Sequence, residues 1–221
     1  MLAVLYDIHG NAAALEAVLR EAEVAGAGRY LLGGDYVAWE PLGSETLALL
    51  RALPDATWIR GNGERWLVEP PADRPQVVPG VQEMAAQLGE EVDRLYALPE
   101  RAELDGVLYV HGSPLSDVES FAAEPQEGEE RMLAGVRNRT VVFGHSHLQF
   151  RRPGPNGTGL VNPGSVGMPL DGDVRAAWAL WDGDFSFRRT EYDVERAAAA
   201  YRRVGGEVGE SFARRVERGS D

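Results

Sequence analysis

The chain contains no cysteine and no lysine. Without cysteine there are no disulfides and no thiolate metal sites, and the composition accords with the cytosol. Without lysine, all 22 basic residues are arginine. Guanidinium forks suit bidentate phosphate contacts, but a bias spread over the whole chain reads as genome composition. Long hydrophobic runs are also missing, none approaching the ~20 residues of a bilayer helix. Nor does the amino terminus, Met1-Leu2-Ala3-Val4, carry a basic n-region, so the expectation is a cytoplasmic chain without membrane span or secretory signal. Positive charge is scarce overall: the formal net charge is −13. Such a surface repels a phosphate backbone, which argues against extended nucleic acid as a partner. A small phosphorylated substrate stays open, because bound divalent metals would invert the local field.

What is present suits a folded chain of 221 residues, 44% hydrophobic and 26% charged. One domain with a substantial core is expected over 1–221, with a core at 1–192 and a helical extension at 193–221. The first part alternates. A strand at 2–6, a helix at 12–25 capped by Asn11 and stopped by Gly26, a strand at 29–33, a helix at 44–53 capped by Ser44 and a strand at 57–60 form parallel crossover units. The proline-rich stretch 69–80 reads as a loop or cover, followed by a helix at 81–97. Short strands then dominate, at 107–110, 140–143, 148–152, 158–162, 175–182 and 185–191, with a helix at 128–137. Asp105-Gly106, Asn156-Gly157 and Asp182-Gly183 mark hairpin turns. The tail 193–218 reads as helices broken near Gly205-Gly206. Val208, Phe212 and Val216 form a stripe that packs on the domain or, as the weaker option, on a second copy. This order fits a two-sheet α/β sandwich better than one doubly wound sheet.

All four histidines stand where an apolar run meets a polar ligand type. Asp7-Ile8-His9, His111-Gly112 and His145-Ser146-His147 each follow such a run; Gly33-Gly34-Asp35 and Gly61-Asn62-Gly63 do so without histidine. Two adjacent divalent ions need imidazoles plus carboxylate or amide oxygens. Asp7 and His9 stand two apart, as do His145 and His147, so in an extended segment each pair would face one side and grip one ion. Taken singly, Asp7 reads as a helix-start charge, Asp35 and Asn62-Gly63 as turns, and His111 as a core histidine. Their common strand-end placement favours a metal centre, since ligands at the carboxyl ends of strands converge in α/β proteins.

These blocks, together with Asn162-Pro163-Gly164-Ser165-Val166-Gly167, resemble the calcineurin-like metallophosphoesterases, in the small bacterial and archaeal phosphodiesterase and diadenosine-tetraphosphatase-related branch. The resemblance spans residues 2 to about 190 and implies a two-sheet α/β/β/α sandwich with C-terminal helices. It implies that Asp7, His9 and His147 hold one metal, that Asn62, His111 and His145 hold a second, and that Asp35 bridges them. It also implies in-line attack on phosphorus by water between the ions, with Asp35, Asn62 and His111 acting through that water. Mn²⁺ is the first expectation for both ions; Fe²⁺, Zn²⁺ and Ni²⁺ are compatible.

One residue departs from the commoner family pattern. Most members place histidine directly after the asparagine of the third block, where this chain has Gly63. General acid help contributes ~10²–10⁴-fold, so its loss selects for good leaving groups. A phosphodiesterase is therefore favoured. The competing readings are a dinucleoside polyphosphate hydrolase or a phosphomonoesterase or protein phosphatase on the same site, and a catalytically weak metal-bound scaffold. Glu64 and Arg65 read as a solvated helix start, with a substitute acid or clamp as the alternative. Trp39 could stack on a nucleobase or cap the core, Arg60 could contact phosphate or pair with a carboxylate, and Asn11 could touch substrate or cap its helix. The partner expected is a small phosphorylated molecule, a nucleotide among the candidates; a homo-oligomer is compatible.

Overall fold

Alternation along the first strand sets the architecture. In Leu2–Leu5 (β1), Leu2 and Val4 enter one apolar cluster, and Ala3 and Leu5 enter another, as the two-residue period of a strand requires. The sheet is thus covered on both faces. The structure, a computed structural model, describes residues 1–221. From β1 the chain runs through Ala12–Val24 (α1), Arg29–Leu32 (β2), Leu42–Arg51 (α2), Ala56–Trp58 (β3), Asn62–Trp66 (α3), Val78–Leu88 (α4) and Glu91–Tyr96 (α5). It continues through Arg101–Leu104 (β4), Val107–Val110 (β5), Glu129–Met132 (α6), Thr140–Val142 (β6), Gln149–Pro153 (β7) and Gly159–Pro163 (β8). Ala176–Trp181 (β9), Phe185–Thr190 (β10), Val194–Val204 (α7) and Gly206–Arg218 (α8) complete it.

Two mixed sheets result, each of five strands, in the orders β10-β9-β1-β2-β3 and β4-β5-β6-β8-β7. β1, β2 and β3 are mutually parallel, as are β5, β6 and β8; β9, β10, β4 and β7 join antiparallel. The sheets pack face to face, with Leu2, Val4, Tyr6 and Leu31 of one meeting Val107, Tyr109, Val142 and Val161 of the other. Leu15, Val18, Leu47 and Leu50 of α1 and α2 cover the outer face of the first sheet. Phe121, Met132 and Leu133 cover that of the second. The layers are α/β/β/α.

The elements depart from the sequence expectations where local chemistry competes. Asn11 does cap α1, its Oδ1 accepting from the Ala14 amide at 3.0 Å. The second helix, however, begins at Leu42 behind Pro41, and Ser44 lies inside it, donating to Glu40 Oε1 at 2.6 Å. The helix expected over 81–97 is two helices, α4 and α5, interrupted at Gly89 with φ 58°. The helix expected over 128–137 is the single turn α6. A strand not anticipated, β4, pairs with β5 through the Asp105-Gly106 turn, whose φ values of 52° and 79° are those of a tight hairpin.

The tail stripe lies on the domain. Tyr201, Ala213 and Val216 are buried against Trp39, Leu42 and Met168, with Phe212 packed beside them, while Val208 remains 42% exposed. No helix is long and apolar enough to cross a membrane.

Candidate metal centre

Asp7 and His9 follow β1, Asp35 follows β2, Asn62 follows β3, His111 follows β5, and His145 and His147 follow β6. The parallel strands of both sheets deliver them to one crevice at their carboxyl ends. Glycines permit the close approach. A Cβ on Gly34 (φ 97°) would lie 2.6 Å from the Gly61 Cα and 2.7 Å from His111 Nδ1, so only a hydrogen lets the two loops and the ring meet.

The centre of the arrangement is an unpartnered oxygen. Asp7 Oδ1 is buried and has no hydrogen-bond partner. Nε2 of His147, His111 and His9 surround it at 3.6, 3.9 and 4.0 Å. These gaps exceed hydrogen-bond length, and those among Asp7, His9 and His147 suit atoms that each sit ~2.0–2.2 Å from a shared cation. The Asp35 carboxylate spans the groups: Oδ2 lies 3.8 Å from His9 Nε2, and Oδ1 lies 3.5 Å from His111 Nε2. Asn62 Oδ1 lies 3.0 Å from His111 Nε2 and 2.7 Å from His145 Nδ1. All seven side chains singled out from the sequence are therefore adjacent, in one set of Asp7, His9 and His147 and another of Asn62, His111 and His145, with Asp35 between.

The route to this arrangement differs from the extended geometry expected for the Asp7/His9 and His145/His147 pairs. Neither segment is a strand. Asp7, His9, Asp35, His145 and His147 have φ of 54°, 50°, 55°, 65° and 59°, a left-handed conformation uncommon outside glycine and concentrated at functional sites. The turns also send the two imidazoles of the last block apart, His147 to Asp7 and His9, and His145 to Asn62.

Backbone carbonyls set the tautomers. His111 Nδ1 donates to Gly33 O at 2.9 Å and His147 Nδ1 to Met168 O at 2.6 Å, which turns each Nε2 toward the crevice. Burial, reinforced by neighbouring imidazoles, lowers His9 to about 3 and His145 to about 4, so both are neutral imidazoles at neutral pH. His111 behaves oppositely: burial would lower it, but the Asp35 and Asp7 carboxylates outweigh burial and raise it to about 9. Burial raises Asp7; for Asp35, burial is outweighed by the histidines and by the Gly63 N–H, which donates to its Oδ1 at 2.7 Å, and the carboxyl is lowered.

A sequence profile of the calcineurin-like phosphoesterase superfamily domain matches residues 1–182. The chain belongs to this superfamily. Among solved structures it is similar to a metallophosphoesterase from Sphaerobacter thermophilus, with a TM-score of 0.80 and 27% identity over 99% of both chains. It also superposes on protein PH1004 of Pyrococcus horikoshii OT3, with a TM-score of 0.83 and 21% identity over 100% of both, which speaks to the fold alone. Protein MJ0912 of Methanocaldococcus jannaschii is 25% identical over 222 residues, covering 89% of this chain and 90% of that one.

In a calcineurin-like phosphoesterase the donors described fit a metal centre, with which the orphaned Asp7 oxygen and the neutral imidazoles are consistent. Several supporting residues escaped the sequence reading. Glu64 is not a solvated helix-start residue: it is fully buried, and its carboxylate accepts the backbone N–H groups of Asp35, Tyr36 and Gly61 at 2.9, 2.8 and 2.9 Å. It ties the Asp35 loop to the Asn62 loop. Burial and the Asp35 charge raise it to about 7. Tyr201 on α7 donates to His9 O at 2.9 Å, and Ser165 donates to Asp7 O at 2.7 Å; the Asn162–Gly167 block was the signal for the second.

The residues proposed for substrate lie in different places. Trp39 lines a cavity of about 320 Å³ together with His9, Asp35, Asn62 and Gly63. Arg60 does not; it pairs with Glu100 at 2.8 Å and faces a separate polar cavity of about 260 Å³ beside His111. Asn11 is 2% exposed, and both ends of its amide are spent, on Ala14 N and on Gly167 O. Arg65 is paired with Asp117 at 2.6 Å.

Proposed function

We propose that this phosphoesterase is a dinuclear metal-dependent phosphodiesterase. One observation carries the reading: the cavity of about 320 Å³ lined by His9, Asp35 and Asn62 holds no spare proton donor for a leaving group. Its only carboxylate and imidazole are Asp35 and His9, both assigned to metal, and Gly63 occupies the position at which the family resemblance implies a histidine. Glu64 cannot serve, because it lies outside the cavity lining with its oxygens held by three backbone amides. Without acid help, a basic alkoxide of a phosphomonoester leaves slowly, while aryl or similarly stabilised groups of diesters leave unaided.

Bound divalent ions, Mn²⁺ first among the candidates, supply charge neutralisation for the phosphoryl oxygens and a lowered pKa for water. The chain supplies the rest. Asp35 holds the two donor sets in register, Gly33 O and Met168 O orient His111 and His147, and Glu64 fixes the loops that carry Asp35 and Asn62. The left-handed turns at Asp7, His9, His145 and His147 are backbone strain spent on aiming side chains.

The test is a comparison of p-nitrophenyl phosphate with bis(p-nitrophenyl) phosphate on Mn²⁺-loaded protein. Faster turnover of the diester is the expected result; faster turnover of the monoester would assign a phosphomonoesterase. A phosphoanhydride also leaves without an acid, so diadenosine tetraphosphate belongs in the same series, and its preference over the aryl diester would assign a dinucleoside polyphosphate hydrolase. Hydrolysis that survives chelator or Asp35→Asn would remove the metal centre from the account. Absence of any turnover would leave the scaffold reading.

A further inference from the structure

The cavity beside the candidate metal centre has three aromatic side chains, Trp39, Trp66 and Phe212, in its lining. Its volume, about 320 Å³, falls at the lower end of the ~300–1,000 Å³ range of small-ligand sites. His9, Asp35, Asn62 and Gly63 form part of its lining, so an occupant there is joined to phosphorus held by the metals. Trp39, Trp66 and Phe212 share the apolar remainder with aliphatic side chains, and Gln76, Ser211 and Arg215 add an amide, a hydroxyl and a guanidinium. Phe212 comes from α8, beyond the residues that match the superfamily profile. Its ring stands edge-on to Trp39 at 5.5 Å and 83°, and edge-on to His9 at 6.5 Å and 82°. The Arg74 guanidinium lies 5.6 Å from the centre of the Trp66 ring. Rings in the lining discriminate flat occupants from merely greasy ones, because ring pairs prefer defined offset or edge geometries. Its polar atoms suit the edge of a heterocycle.

Resting on the phosphodiesterase reading, we infer that this cavity is the subsite for a planar aromatic ester arm of the substrate, and that Phe212 and Trp66 determine the preference for it. The C-terminal helix α8 is then part of the specificity apparatus. A nucleobase and a simple aryl group share the required chemistry.

Binding of four phosphomonoesters, the product class of such diesters, to Mn²⁺-loaded protein tests the inference by calorimetry. Phenyl phosphate and adenosine 5′-monophosphate should bind roughly 5- to 130-fold tighter than methyl phosphate, the range that ring stacking spans on alanine substitution. Hexyl phosphate, apolar without a flat face, should bind more weakly than phenyl phosphate. Phe212→Ala and Trp66→Leu should erase the ring advantage and leave methyl phosphate binding unchanged. Phe212→Leu, which keeps most of the volume, should do the same if Phe212→Ala does not fold. Tighter binding of the nucleotide than of phenyl phosphate identifies a nucleobase arm, and the reverse identifies a simple aryl arm; both uphold the subsite. Equal affinities across the series, hexyl phosphate matching phenyl phosphate, or a ring advantage that survives the substitutions would overturn it. Diester turnover is measured separately. Its absence with the ring preference intact removes the reaction but keeps the subsite, whereas turnover without ring preference removes the subsite alone.

Discussion

Loading the metal-free protein with Mn²⁺ near neutral pH should expel a proton, and that proton comes from His111. The Nε2 of this residue faces Asn62 Oδ1 at 3.0 Å and Asp35 Oδ1 at 3.5 Å, and the surrounding carboxylates hold the imidazolium to about pH 9. About two pH units below that value roughly 99% of the side chain is protonated, and a protonated nitrogen cannot ligate. Metal affinity at the Asn62, His111 and His145 set should therefore rise about tenfold per pH unit through neutrality and level off near pH 9, a gain of roughly a hundredfold. His9 and His145 contribute nothing to this slope, being neutral already, at about 3 and about 4. Calorimetry in two buffers of different ionisation enthalpy counts the protons: about one from His111 on metal binding in the native protein, and that proton missing in His111→Gln. The same group sets the stability of the metal-free protein on the alkaline side. A histidine raised from 6.5 to about 9 stabilises the fold fully below pH 6.5 and loses that contribution as pH climbs through 9. The loss is on the order of 3 kcal/mol, or a fall of the melting midpoint on the order of 10 °C for a chain of this size. Proton release that persists in His111→Gln, or a melting midpoint flat between neutrality and pH 9, would refute this reasoning.

Three further outcomes follow from particular contacts. Glu64→Ala strips the acceptor from three backbone amides at ~1–3 kcal/mol each, so the melting midpoint should fall sharply and Mn²⁺ affinity should drop with it; unchanged affinity would show that the clamp does not position the loops. Arg74 is exposed and forms no salt bridge, unlike Arg60 and Arg65, yet its charge helps depress His145. Arg74→Ala should leave the melting midpoint unchanged and reduce kcat/KM for an anionic diester about tenfold, the worth of roughly one charge–phosphate contact. Tyr201→Phe removes the donor to His9 O and should cost ~1–3 kcal/mol in thermal stability, with weaker loading of the Asp7, His9 and His147 set on Mn²⁺ titration.

The meeting of the seven candidate side chains was legible because each sits where an apolar strand meets a polar loop, and chain order alone exposes that boundary. The two-sheet layering was legible for a related reason: alternating and fully apolar runs separate parallel from hairpin-joined strands. The conformation that joins the ligands was not legible. Left-handed φ at Asp7, His9 or His147 leaves no mark on residue type, so spacing of two suggested an extended pair. Glu64 looked like any charge at a helix start, because its burial depends on amides from residues 35 and 36 that lie far away in sequence. β4, Arg-Ala-Glu-Leu, has no hydrophobic run and exists by pairing with β5. Gly89 broke the helix expected over 81–97, since its φ of 58° is incompatible with continuation. Phe212 was placed on an apolar stripe, but only the fold reveals that the stripe turns one ring toward His9 and Trp39.

Anomalous diffraction from crystals grown with Mn²⁺ tests the central claim most directly. Two peaks ~3.5–4 Å apart, one among Asp7, His9 and His147 and the other among Asn62, His111 and His145, with Asp35 between them, are the expected result. A single peak, or none within reach of the unpartnered Asp7 oxygen, would contradict it.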